Sequence, residues 1–411
     1  MLLNITVENF RSYNEAQTLS LIASENNGVN SVAVGEFEIR KSAVIYGANA
    51  SGKSNIIKAI ILLQTLLTKD LGPNLYQPFF DSKEPTKFSI DFEVHNQIYT
   101  YQIVYDANTV HYEALLDSED QIIFERKLVG QNDNQDYDYQ ILKHDLILNK
   151  EQLTVHDEII KAWRLTTTKQ QLFLRRCAEY GSEVVKQLVD SISMIVIRAN
   201  SYIANGDTSF GKDFMFASNF YQSMQDQTDL IKTFNSIGAG FNNLEVVDQV
   251  VTMPDGKSGK VRVIYSHYSR NGKDVALNFA EESDGTIKFY NYYAIINHII
   301  QNDGILIIDE LETHFHPLLV EEIIKAIHRS DSKAQLIFTT HNPRLLDESI
   351  FEHDQIYFAE KGDNQATRLY SLADFTDLKE SNNRLQAKYM TGNFGAIPYM
   401  HSLNFRNKNN G

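Results

Sequence analysis

A chain of 411 residues with 43% hydrophobic and 22% charged side chains holds enough apolar material for two or three packed domains, which excludes global disorder. Its 38 basic against 53 acidic residues leave a formal charge of −15, which argues against coating nucleic acid with the whole surface but leaves room for a local basic patch. The single cysteine, Cys177, excludes an internal disulfide and a cysteine-based zinc site and fits a reducing cytoplasm.

Leu3, Ile5 and Val7 alternate with polar residues and predict a half-buried opening strand, without the basic n-region of a signal peptide. Asn9-Phe10-Arg11-Ser12-Tyr13 follows as a turn carrying an exposed cation, and Leu19–Ile22 reads as a second strand. Ala43-Val44-Ile45-Tyr46 is an apolar strand that runs into Gly47-Ala48-Asn49-Ala50-Ser51-Gly52-Lys53-Ser54, a full match to G-x-x-x-x-G-K-[ST]. Gly47 and Gly52 let the backbone curl so that several N–H groups face one anion, and the helix that opens near Ser54 adds its positive end. Lys53 would reach the β- and γ-phosphates of ATP and the Ser54 hydroxyl would ligate Mg2+. Asn55 and Arg11 complete the candidate nucleotide-binding set. Ile56, Ile57, Ile60 and Leu63 give the helix an apolar stripe to about Thr68.

From Lys87 to Lys127 the pattern is that of antiparallel strands, with turns at His95-Asn96 and Asp106-Ala107-Asn108. Gln131–Tyr139 is a polar border, beyond which the period turns helical to about Gly238, with a Gly/Asn/Asp/Ser-rich loop expected at Tyr202–Asp213. Strands return at Val246–Val251, Val261–Tyr265 and Val275–Phe279, and strands then alternate with helices, which predicts parallel pairing. No apolar window approaches the length of a membrane span.

Three further motifs carry chemistry. Gly304–Ile308 is a buried strand that ends in Asp309-Glu310, where open α/β sheets place their ligands. Asp309 would hold Mg2+ and Glu310 would polarise the attacking water. Gln335–Thr340 ends in His341, which could donate to the γ-phosphate. Glu282-Ser283-Asp284-Gly285-Thr286 precedes an apolar helix, and Ser283 with Gly285 can bind an anion there, although alone it is only a good helix cap. Glu312, His314 and His316 suggest a metal site only weakly, because the sequence places no further ligand beside them.

The order of these motifs resembles the ABC-type ATPase heads of the SMC and RecF kind, whose N-terminal signature is similar to the opening strand plus Asn9-Phe10-Arg11-Ser12. With Asp309–Pro317, Thr339–Asn342, Asp354–Phe358 and Tyr389-Met390-Thr391-Gly392-Asn393-Phe394-Gly395-Ala396-Ile397-Pro398, the chain resembles the RloA and AbiL-type ATPases of phage-defence and abortive-infection operons. The PARIS-system ATPase is similar in architecture. The resemblance covers little of 131–238.

It implies an α/β fold, an ABC-type P-loop NTPase head in two lobes, with a mixed or parallel sheet, an antiparallel β subdomain and a mainly helical insertion. The expected divisions are 1–130, 131–238, 239–403 and a polar tail 404–411. It further implies ATP and Mg2+, a homodimer or higher assembly that sandwiches ATP, and Ser283 and Gly285 acting on the partner's nucleotide. A separately encoded Toprim-type, RloB-like effector and a phage-derived trigger or nucleic acid complete the expected partners, with no membrane. The departures are ESDGT in place of LSGGQ and no clear Q-loop glutamine among Gln97, Gln102 and Gln121. A RecF/SMC-like DNA-repair ATPase is the alternative. A transporter subunit is disfavoured by the signature and the split head, and no second catalytic constellation supports a nuclease.

Overall fold

The computed structural model describes residues 1–129, 136–198, 209–224, 226–252, 258–313, 315–375 and 385–398. The chain is an α/β protein in two compact units, one made of Leu2–Met194 with Phe338–Gly411 and the other of Met1 with Ile195–Ile337. The boundary between the units, at Met194 and Ile195, lies within the stretch 131–238. Its first part holds the strand Asp136–Ile141 and the helices His156–Thr166, Phe173–Tyr180 and Glu183–Ser193. Its last part holds the strand Val196–Arg198 and the helices Ser209–Ser223 and Thr228–Ser236. The loop expected over Tyr202–Asp213 is corrected at its end, because Ser209 already opens a helix; 202–208 lie outside the described residues, as do His314 and the tail 404–411.

In the first unit a seven-stranded antiparallel sheet takes the order Asp136–Ile141, Ile122–Val129, Val110–Leu116, Gln97–Tyr105, Thr86–Val94, Leu2–Glu8, Gln17–Ser20. Alternation explains its core face. Phe88, Ile90 and Phe92 are buried and lie opposite Ile103, Tyr101 and Tyr99, also buried, so each cross-strand pair removes apolar surface from water together. His95 (φ 53°) and Asn96 (φ 62°) both take left-handed backbone, as a two-residue hairpin loop of this twist demands. At the next turn the Asp106 carboxylate accepts from the Asn108 and Thr109 amides. Elsewhere in this unit Ser42–Tyr46, buried throughout, pairs in parallel with Ile356–Lys361, which pairs antiparallel with Thr367–Ser371.

The helices after 141 are fastened to this sheet by a buried charge network. Glu113 and Arg126, neither side chain exposed, lie 3.7 Å apart on neighbouring strands. Glu113 accepts from the Tyr101 hydroxyl and from the Phe173 and Leu174 amides at 3.0, 2.8 and 2.7 Å, so a sheet carboxylate satisfies the open N-terminus of the helix Phe173–Tyr180. Arg126 donates to the Gln171 and Thr168 carbonyls at 2.6 and 2.8 Å and lies 3.8 Å from the Tyr137 ring. Burial pushes the Glu113 carboxyl up, and Arg126 with the two amides pulls it back. Glu113→Ala is therefore expected to cost about 3–5 kcal/mol by leaving a buried guanidinium uncompensated. Thermal unfolding checks this, with the double variant Glu113→Leu/Arg126→Met expected to be more stable than the single one.

In the second unit Val196–Arg198 pairs in parallel with Ile305–Ile308, and the Gln335 amide bonds the Gly304 carbonyl at 3.0 Å. The strands Asn243–Thr252, Ser258–Arg270 and Lys273–Asn278 form an antiparallel sheet. The helix Asp284–Gln301 is set in an aromatic core, with Tyr290 at 4.2 Å from Tyr221 and 4.8 Å from Phe279 between ring centres, and Phe289 at 5.1 Å from Phe234. Among the described residues no helix is long and apolar enough to cross a membrane.

Candidate functional site

The phosphate-loop residues, Arg11 and His341 fall in one compact unit; Ser283, Gly285, Asp309 and Glu310 fall in the other. Each group has its own geometry.

The loop after Ser42–Tyr46 follows the course its glycines require. Gly47 has φ 154°, and a Cβ there would sit 2.4 Å from the Ala359 carbonyl oxygen. Gly52 has φ 106°, and a Cβ would sit 2.2 Å from Thr367 Oγ1 and 2.7 Å from Ser12 Oγ. Neither position tolerates a side chain, so close approach adds to the backbone requirement. Ala50, at φ 61°, is left-handed without being glycine. Lys53, 5% exposed, opens the helix Lys53–Leu66 and donates from Nζ to the Gly47 and Ala48 carbonyls at 2.8 and 2.9 Å. The loop thus curls over its own lysine, while Ser51 donates its amide to the Ala48 carbonyl at 3.2 Å and Ser54 lies one residue into the helix. Asn49 is exposed in this turn.

The loop is seated on the turn Asn9–Tyr13 and on Thr367, which the sequence did not single out. Thr367 Oγ1 donates to the Ser51 carbonyl and lies 2.7 Å from Ser12 Oγ, and its amide bonds the Ser12 carbonyl at 2.7 Å. Tyr13 donates to the Gly52 carbonyl at 3.2 Å, and burial holds its hydroxyl well above the usual range. Asn55 turns its amide to Ser12 Oγ at 2.8 Å. The signature turn Asn9–Tyr13 therefore acts partly as a footing for the loop. Arg11 has φ 51°, donates its amide to the Gln77 carbonyl at 2.8 Å and stands 5.7 Å from the Phe10 ring. His341 is exposed, one residue past Thr340, whose amide donates to the Ile45 carbonyl at 3.1 Å. That bond sets the histidine's strand tip beside the strand that feeds the loop.

In the other unit Ile305–Ile308 is buried throughout and delivers Asp309, 6% exposed, whose amide bonds the Arg198 carbonyl at 2.8 Å. Glu310 has φ 57°, uncommon for a glutamate. Thr313 ties the turn back: its amide donates to the Glu310 carbonyl at 3.1 Å and its hydroxyl reaches Glu310 Oε2 at 3.5 Å. Ser283 caps the helix Asp284–Gln301 by accepting the Thr286 amide at 3.2 Å, which leaves Gly285 in its first turn. A groove of about 810 Å3 opens beside them, lined by Ser283, Gly285, Phe289, Tyr293 and Phe315 among others. His316 caps the helix Pro317–Arg329 by accepting the Leu318 amide. Ser54 and Asp309 are hard oxygen donors, the ligand chemistry Mg2+ takes.

Sequence reasoning missed Lys288. Its Nζ donates to the Thr313 carbonyl at 2.5 Å and lies 5.3 and 5.0 Å from the Tyr292 and Phe315 ring centres. Burial pushes its amine down, and the charges of Glu312 and Glu310 oppose that. Lys288 therefore joins the capped helix to the loop that carries Glu310, through a main-chain carbonyl that no sequence pattern marks. Lys288→Met is expected to lower ATP turnover about tenfold, the scale of one lost charge-assisted hydrogen bond, with ATP affinity retained. Because desolvation depresses the lysine, hydrolysis should also fall on the alkaline side at a lower pH than an exposed lysine would give, and Lys288→Arg should remove that fall. A pH profile of steady-state phosphate release reads both effects.

A family model described as "AAA domain, putative AbiEii toxin, Type IV TA system" matches residues 42–347, which spans the phosphate loop, Asp309-Glu310 and His341. The Septu protein PtuA of Bacillus thuringiensis is 32% identical over 79 residues, 19% of this chain and 17% of that protein. Among solved structures, the SMC head domain from Thermotoga maritima aligns over 90% of this chain and 98% of its own, at 13% identity and a TM-score of 0.41. An Smc head domain bound to the C-terminal domain of ScpA, derived from Pyrococcus furiosus, aligns over 90% and 96%, at 13% identity and a TM-score of 0.39.

Proposed function

We propose an ATP-driven switch of bacterial phage defence, on the premise that the chain belongs to the AAA-domain ATPase family whose description names a type IV toxin–antitoxin system. The observation that carries the ATP half is the loop built around Gly47 and Gly52, curled over Lys53 where no side chain fits. The reading is an ATPase of the RloA/AbiL kind within that family. Gly47–Ser54 would cradle the phosphates with main-chain N–H groups, Lys53 would exchange its two carbonyl partners for β- and γ-phosphate oxygens, and Arg11 and Asn55 would flank the nucleotide. Ser54 and Asp309 would hold Mg2+, which neutralises phosphate charge. Glu310 would take a proton from the attacking water, and His341 would donate to the γ-phosphate. Ser283 and Gly285 of a second copy would close on the same phosphates, so that ATP joins two chains.

An ATPase without its own output needs a partner whose affinity differs between its nucleotide states. The reading therefore includes a separately encoded, RloB-like Toprim effector, held by the helices between 131 and 238, and a phage-derived trigger. The test is phage plating and co-purification with the neighbouring gene present or deleted. Protection should vanish when that gene is deleted, and surface substitutions on the helices His156–Thr166 and Glu183–Ser193 should release the partner while hydrolysis persists. Protection by this chain alone contradicts the two-component reading. DNA-stimulated hydrolysis by the isolated chain favours a RecF/SMC-like DNA-repair ATPase instead.

A further inference from the structure

The segment Tyr389–Pro398 has no place in the reading above, yet it touches the root of the phosphate loop. The short helix Leu385–Met390 sets the Tyr389 ring edge-on to Tyr46 at 5.6 Å and stacked on Phe358 at 5.7 Å between ring centres. Those two residues are register partners on adjacent parallel strands, and each immediately precedes a residue of the tight contact between Gly47 and the Ala359 carbonyl. Tyr389 is 6% exposed, and its hydroxyl donates to the Ala396 carbonyl at 3.2 Å.

The rest of the segment holds that ring in place. Phe394 stacks on the same Phe358 at 5.5 Å, and its carbonyl accepts from the Tyr370 hydroxyl at 2.7 Å. The Ala396 amide donates to the Glu360 carboxylate at 3.1 Å, and Glu360 follows Ala359. Gly395, at φ 64°, passes so close that a Cβ would lie 2.7 Å from both Glu360 Oε1 and Tyr370 Oη. Gly392, at φ 83°, turns the chain there and donates its amide to the Tyr389 carbonyl at 2.9 Å. The glycines and aromatics of this segment thus serve one closure, against the two strands that meet at Gly47.

We infer that Tyr389–Pro398 is a brace for the phosphate loop and that Tyr389 is a positioning residue for nucleotide, acting through Tyr46 and Phe358, the residues that lead into Gly47 and Ala359. A phosphate cradle binds through main-chain N–H groups, so its affinity depends on how narrowly the loop's backbone is held before ATP arrives. The brace sets the first of those backbone positions from the far end of the chain. This inference rests on the nucleotide-binding reading above.

The test uses the full chain. Tyr389→Phe keeps the ring and removes the hydroxyl; it is expected to raise the Kd and KM for ATP about fivefold, the scale of one hydrogen bond, with kcat unchanged. Hydrogen exchange at 47–53 should quicken in the nucleotide-free variant while the strand Gln97–Tyr105 keeps its protection. Tyr389→Leu should show a larger rise in KM; if it does not fold, Tyr389→Phe decides alone. Wild-type KM together with wild-type exchange at 47–53 in Tyr389→Phe overturns the brace. So does a fall in kcat at unchanged KM. Lys53→Ala run beside it separates the two claims: if that variant binds ATP like the wild type, the nucleotide site itself is misplaced and the brace falls with it.

Discussion

Glu310→Gln is expected to bind ATP as tightly as the parent chain and to hydrolyse it roughly 100- to 10,000-fold more slowly, the range over which a general base contributes. The substitution is nearly isosteric, so the left-handed turn at φ 57° and the tie from the Thr313 amide to the residue's carbonyl should both survive. What is lost is the carboxylate that would take the proton, and Thr313 keeps an oxygen to which its hydroxyl can donate. ATP affinity by calorimetry and steady-state phosphate release, measured on one preparation, separate binding from chemistry. Turnover equal to wild type places the base elsewhere.

Where one segment supplies its own geometry, the structure was legible in the sequence. The alternation at Leu3, Ile5 and Val7, and that between Phe88 and Val94, marks strands whose apolar side chains are buried. The stripe Ile56, Ile57, Ile60 and Leu63 marks a helix face that is buried in full. Short segments surrounded by helical pattern were harder. Val196–Arg198 is three residues long and pairs in parallel with Ile305–Ile308, a contact whose only local sign is the apolar run Ile195-Val196-Ile197. Asp136–Ile141 alternates weakly because tyrosines and aspartates fill it, and it lies where a polar border was expected. The phosphate-loop motif is written in eight consecutive residues, but its supports are not. Ser12, Tyr13 and Thr367 act through single hydroxyls on main-chain or hydroxyl oxygens, and such contacts leave no periodicity. Lys288 was hidden for the same reason. The aromatics of Tyr389–Pro398 suit a partner surface but read somewhat better as a seal for the second lobe; the structure buries Tyr389 and Phe394 against Phe358.

Lys53→Ala is expected to weaken ATP binding about a hundredfold, since each charge-assisted hydrogen bond is worth about 1.5–3 kcal/mol and the lysine would make at least one to a phosphate. The ammonium also spans the Gly47 and Ala48 carbonyls. Its removal therefore costs the loop two internal bonds as well as the cation. The same variant should lose the rise in melting temperature that saturating ATP gives the parent chain, because a ligand that no longer binds the folded state cannot stabilise it. An equal thermal shift in both chains contradicts the role of Lys53.

The central claim is that ATP joins two copies of this chain through Ser283 and Gly285. Sedimentation velocity of the Glu310→Gln chain, with and without Mg·ATP, tests it most directly, because hydrolysis cannot then dissolve the complex. The account predicts a new or more populated assembly on adding Mg·ATP, and its absence when Ser283→Arg is added to the same chain while ATP still binds. Sedimentation unchanged by Mg·ATP in a chain that demonstrably binds it, or an ATP-driven assembly indifferent to Ser283→Arg, would contradict the account.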